Sequence, residues 1–347
     1  MTTRLQTALG LEVPIIQAPM AGVQVSALTL AISNAGGLGS LPCAMLDPQQ
    51  IRDELNAIVA ATDKPYNVNF FCHKPPVHDA AQESAWHAAL SPYYEEHGLD
   101  INNLPEAEDR APFGTETLEI LQEFKPPVVS FHFGLPARDL FEAVRAMGSR
   151  ILCSATTVEE ARWLEAQGVD AIIAQGVEAG GHRGMFLTGD ITTQLGTFAL
   201  LPQIVDAVQI PVIAAGGIAS AEGVAAALAM GADAVQIGTA FLLCDEATTS
   251  PLHREALKSP QAAHTALTNR FSGRPARGIV NRVMRELGPI GDDVVAFPLA
   301  SKAIAPIRKA AESQGKTDFT SLWSGQNASG CREIAAAEQL ARLAAKI

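Results

Sequence analysis

Residues 212–239 read VIAAGGIASAEGVAAALAMGADAVQIGT. Two short apolar runs, Val212–Ala215 and Ala234–Ile237, have the length and branching of buried strands. Each ends on glycine: Gly216-Gly217 after the first, Gly238 before Thr239 after the second. Between them Ser220 can cap an alanine-rich helix that stops at Gly231. Strand, glycine turn, capped helix, strand is one parallel βαβ unit.

The same unit recurs upstream. Candidate strands are Ile15–Gln17, Leu38–Leu41, Asn67–Phe70, Val128–Phe131, Ile151–Ser154 and Ala171–Ala174. Asp47-Pro48 starts one intervening helix, with proline at the first helical position, and Thr157 starts another that stops at Gly168. Eight successive units predict a (β/α)8 TIM barrel, an α/β fold, over residues 1–244. Residues 73–112, rich in histidine and proline, predict an insertion with a short helix around 81–89. Residues 245–295, punctuated by Pro251, Pro260, Pro275 and Pro289, predict a small helical lobe inserted near the end of the barrel, after strand eight. Residues 296–347 then return to the barrel, ending in a helix over 334–345.

Composition narrows the function classes. The chain has 347 residues, 48% apolar and 18% charged, with a net charge of −12. That apolar share builds a large core, and the negative charge opposes a general nucleic-acid binder, which needs a basic face. The start lacks a signal-peptide pattern and no run approaches a membrane span. Five scattered cysteines without a CxxC fit reduced thiols. The expectation is a cytoplasmic protein without membrane or nucleic-acid partners, its oligomeric state undetermined. Cys72, His73 and His78 match no common zinc spacing, so no metal is expected.

In such barrels chemistry gathers at the C-terminal ends of the strands. Gly217 and Gly238, at consecutive turns, let backbone N–H groups approach an anion, and Thr239 adds a hydroxyl, together pointing to a phosphate site. Ser130 and His132 share one face of their strand. The pattern leaves His132 open between an acid/base group and a core histidine among phenylalanines. The loop carrying His182 and Arg183 is likewise open between anion binding and a plain surface loop.

Seven stretches together resemble the class I nitronate monooxygenases: 14–22 (PIIQAPMAG), 67–70 (NVNF), 129–134 (VSFHFG), 175–184 (QGVEAGGHRG), 214–218 (AAGGI), 231–241 (GADAVQIGTAF) and 321–326 (SLWSGQ). The resemblance implies FMN, bound by Asn69, Gln175, Gly180, Gly217, Gln236, Ile237, Gly238 and Thr239, with Met20 against the flavin. It implies His132 as the catalytic residue and His182 in the substrate pocket. The implied reaction is oxidation of an anionic alkyl nitronate, such as propionate 3-nitronate, by O2 through a flavin semiquinone, giving a carbonyl compound and nitrite. Some members carry tyrosines before the final helices. Here residues 297–302 read FPLASK and all three tyrosines precede residue 100, so substrate preference does not transfer with the cofactor site. Two other readings remain: an FMN-dependent enoyl-acyl-carrier-protein reductase using NAD(P)H, and a non-catalytic barrel that binds FMN or a sugar phosphate.

Overall fold

A computed structural model describes residues 2–104 and 111–347; residues 105–110 of the expected insertion lie outside the described residues. The barrel strands are β1 (Ile15–Gln17), β2 (Gly39–Pro42), β3 (Tyr66–Phe71), β4 (Val128–His132), β5 (Arg150–Ala155) and β6 (Ala171–Gln175). A two-residue strand, β7 (Gly181–His182), intervenes before β8 (Val212–Ala215) and β9 (Ala234–Ile237) complete the set. The eight pair in parallel in the order β2-β3-β4-β5-β6-β8-β9-β1. A parallel bridge between Ile16 and Leu38 brings β1 back to the start of β2, where Gln17 N–H donates to the Leu38 carbonyl at 2.9 Å. The expected barrel is therefore present.

Helix punctuation follows local chemistry. Asp47 accepts from the N–H of Gln50 ahead of Pro48–Ala61, and Thr157 accepts from the N–H of Glu160 ahead of Val158–Gln167. Ser220 does the same for Gly223. Gly168 ends its helix in the left-handed region at φ 88°.

The lower lumen is apolar. Ile16, Leu38, Val128, Leu152 and Ile213 meet there, and Leu5 and Leu9 of an N-terminal helix, Arg4–Leu9, plug it from below. That short plug carried too little periodicity to be read from sequence. The alternate strand residues face outward into a larger core shared with the surrounding helices. Helix Ala336–Ala344 closes the ring against helices Ser26–Asn34 and Ala221–Ala229.

Above the strand ends sits the lobe. To its expected helices the structure adds a three-stranded antiparallel sheet: β10 (Thr265–Thr268) pairs with β11 (Ala276–Ile279), and β11 with β7. The lobe also reaches beyond 245–295. Helix Ala80–Glu96, longer than expected, and helix Ala300–Glu312 pack in one apolar cluster with Phe271, Val283 and Phe319. The physical reason is stripe matching. Ala300, Ala303, Ile304, Ile307 and Ala311 form one buried face opposite Trp86, Leu90 and Tyr94. Trp86 Nε1 donates to the Ala300 carbonyl at 3.3 Å, and the Tyr94 hydroxyl to the Ala303 carbonyl at 2.6 Å. Only after residue 323 does the chain return to the barrel.

Candidate active site

The upper lumen is polar, and it forms the floor of a cavity. Asn67 Nδ2 donates to the hydroxyls of Ser40 and Ser130 at 3.0 and 2.9 Å. Asn69 Nδ2 donates to Ser130 Oγ at 2.9 Å. These inward positions on β3 and β4 alternate with the outward apolar ones, so strand parity alone sends them into the lumen.

The cavity above this floor has a volume of about 460 Å³. All eleven residues singled out from the sequence border it: Met20, Asn69, His132, Gln175, Gly180, His182, Gly217, Gln236, Ile237, Gly238 and Thr239. They do not all present free groups to it. Gln175 is spent on its own loop: Nε2 donates to the His182 carbonyl at 3.0 Å, and Oε1 accepts from the Gly184 N–H at 2.8 Å. Arg183 does not reach the mouth. It is fully buried, donating to the carbonyls of Gly176 and Gln175 at 2.7 and 2.6 Å. Its charge holds the loop in shape, so the anion-binding reading of this loop draws nothing from Arg183.

The glycine turns are shaped by close approach. Gly216 and Gly217 have φ of 114° and 72°, a region that residues with a Cβ rarely adopt. A Cβ on Gly180 would lie 2.5 Å from the Gly325 nitrogen and 2.6 Å from the Ser324 carbonyl carbon. The 321–326 segment thus lies directly against the turn after β6. Thr239 Oγ1 accepts from the Gly325 N–H at 2.9 Å, leaving its own proton to donate. Gln236 Oε1 is buried at the cavity wall without a hydrogen-bond partner.

His132 ends β4 at the cavity edge. Its Nδ1 lies 2.7 Å from Ser154 Oγ and its Nε2 3.2 Å from the His182 carbonyl. A carbonyl only accepts, so Nε2 carries the proton and Nδ1 accepts from the serine. Burial, with smaller contributions from the nearby Arg274 and Arg183 charges, pushes its pKa down from 6.5 to about 3. The imidazole is therefore neutral at working pH. The next residue, Phe133, has φ 72°, a strained value for an aromatic residue of the kind that clusters at functional sites. Rings of Phe71, Phe133, Phe297 and Trp323 surround His182 with centroids 5.3 to 6.1 Å away, and His182 Nε2 lies 2.8 Å from Ser272 Oγ. The wall around His182 is thus aromatic.

Sequence reading missed several contributors. Ser154, on β5, orients His132. Glu160 is fully buried and accepts from the N–H groups of Phe186 and Leu187 at 2.6 and 3.2 Å, pinning the loop after Gly184. His253 lines the cavity with its Nε2 unpartnered, and burial lowers its pKa to about 4. Ser301, Ile304 and Arg308 come from helix Ala300–Glu312. Only their spacing hinted that they share a face. Among the described residues no helix is long and apolar enough to cross a membrane.

Comparison with known proteins gives a consistent result. A family model described as nitronate monooxygenase matches residues 2–345. A nitronate monooxygenase of Pseudomonas aeruginosa is 45% identical, with 99% of this chain and 98% of the relative covered. One of Paraburkholderia phytofirmans is 43% identical, covering 96% and 92%. Among solved structures, nitroalkane oxidase from Streptomyces ansochromogenes superposes with a TM-score of 0.89 at 40% identity, covering 99% of this chain and 97% of that one. FabK from Thermotoga maritima follows at 0.74 and 26%, covering 100% and 96%.

Proposed function

Since the chain belongs to the nitronate monooxygenase family, and is therefore an oxidoreductase, we propose that it binds FMN at the barrel mouth. There it oxidises alkyl nitronates with O2 to a carbonyl compound and nitrite. The family is one of flavoproteins. The observation that carries the proposal is convergence: the glycine turns after β8 and β9, the unpartnered Gln236 Oε1 and the neutral His132 all open on one cavity.

The residues present fit FMN. The turns at Gly216-Gly217 and Gly238-Thr239, with the N-terminus of helix Ala221–Ala229 behind the first, suit a phosphate monoester. Gln236 Oε1 is a buried acceptor awaiting a donor, and a flavin ring offers an N–H. Met20, whose sulfur lies 3.4 Å from the position of a Cβ on Gly238, offers an apolar surface for the ring. Asn69, Gly180 and Ile237 complete the wall, and Gln175 serves by holding the 181–184 loop. When bound, FMN supplies the one-electron chemistry that the side chains here lack.

The protein's part is placement and exclusion of water. His132 sits where a nitronate would meet the ring. Being neutral, it is competent to accept a proton at Nδ1 if Ser154 turns away, or to donate from Nε2 to a nitronate oxygen in exchange for the His182 carbonyl. The aromatic wall around His182 keeps bulk water out and strengthens such polar contacts.

The test is a purified, yellow protein mixed anaerobically with propionate 3-nitronate. Bleaching without pyridine nucleotide, and nitrite release on adding air, is the expected result. Bleaching by NADPH alone would favour an enoyl reductase, and binding without turnover a sensor. A His132→Asn variant should keep its flavin and lose about 10²–10⁴ in kcat/KM.

A further inference from the structure

We propose that Arg308 is a specificity-determining residue, ion-pairing with a second anionic group at the far end of the nitronate, a carboxylate. This deepens the nitronate reading above and rests on it.

Among the described residues lining the cavity, Arg308 is the sole Arg or Lys, and none is Asp or Glu. Other arginines around the site are already committed. Arg183 binds two carbonyls, Arg277 donates to the Val177 carbonyl at 2.8 Å, and Arg274 lies 4.0 Å over the Phe133 ring while donating to the Met185 carbonyl. Arg308 makes no hydrogen bond or ion pair among the described residues. Glu312, one turn on, accepts instead from the Thr320 hydroxyl at 2.8 Å. A partly buried guanidinium with no partner, in a protein of net charge −12, is a standing site for an anion.

Its position selects which anion. Ser301, Ile304 and Arg308 fall on one helix face, and Arg308 lies roughly 10 Å along the axis from Ser301. Near that first end, Phe297 packs on His182 at 5.3 Å. His132, His182 and Arg308 line the same cavity, so a nitronate held by the histidines and extended by a short carbon chain would point its far end toward the arginine. The FMN phosphate is the other possible anion, but its proposed cradle is on the barrel turns, whereas Arg308 is on the lobe helix. Arg308 also borders a shallower hollow with Leu99, Asp100 and Asn103, so it stands in the wall between the cavity and the surface. There it meets an incoming dianion early and draws it in.

The experiment compares holoenzymes of wild type, Arg308→Met and Arg308→Lys on propionate 3-nitronate and propyl 1-nitronate, which differ by carboxylate against methyl. A charge-assisted, bidentate contact predicts a KM for propionate 3-nitronate about 10- to 100-fold higher in Arg308→Met. Its kcat and flavin content should be unchanged, and so should its KM for propyl 1-nitronate. Arg308→Lys should recover part of the loss. Equal effects on the two substrates, no effect on either, or loss of flavin would overturn the assignment. A wild-type enzyme that oxidises neither nitronate would instead overturn the nitronate reading beneath it.

Discussion

At the scale of single residues, the site turns on how each polar atom is spent. His132 is held neutral by burial and by the nearby Arg274 and Arg183 charges, while the Ser154 and His182 contacts fix which nitrogen carries the proton. The sign of the linkage follows. The unfolded chain takes up a proton at this histidine near pH 6.5, whereas the folded chain does so only near 3. The stability from this group is therefore fully present above 6.5 and is lost as pH falls from there through 3. The His132 ring resonance should stay fixed from about pH 5 to about pH 8 in an NMR titration of the unliganded protein. A midpoint near 6.5 would refute the burial argument. Gln175 and Arg183 teach the complementary lesson: residues in the most specific motif of the chain serve the loop's backbone before any ligand.

At the scale of elements, the decisive contact is between the turn after β6 and the segment 321–326. Gly180 exists because Ser324 and Gly325 occupy the space of its missing Cβ. Further links are the Gln326 N–H donating to the Glu178 carbonyl at 2.9 Å and Gly325 donating to Thr239. The segment leaving the lobe is thus tied to the turn after β6 by backbone and to the proposed phosphate turn by the Thr239 hydroxyl. A Gly180→Ala substitution should push the two apart, destabilising the fold by about 1–3 kcal/mol and weakening flavin retention. Denaturant melts with flavin absorbance read alongside will check both. An unchanged melt with full flavin would show that the segment yields freely.

At the scale of the whole molecule, barrel and lobe have separate apolar clusters, with the cavity between them. Trp86 lies at the centre of the lobe cluster, fully buried and bonded to Ala300. Trp86→Ala should remove about 3–5 kcal/mol, and the loss should fall on the lobe. Helix Ala300–Glu312 would loosen first, raising KM for a nitronate while the barrel turns keep the flavin. Tryptophan fluorescence and flavin release should then separate into two transitions. One coincident transition would mean that the two clusters fold as a unit.

The barrel was legible because its signals are local. Asp47, Thr157 and Ser220 cap, Gly168 and Gly231 stop, and two-residue alternation puts Ser130 and His132 on one face. None of these depends on a distant partner, and the glycine turns of 212–239 locate the mouth for the same reason. What tertiary structure alone decided is long-range. Helix 80–96 found helix 300–312 more than two hundred residues later, Arg183 turned inward to carbonyls, and Arg308 was left facing the cavity without a counter-charge. Periodicity tells a segment which face to bury, but not against which segment. That choice is made by packing, and with it which charges are neutralised and which are left for a ligand.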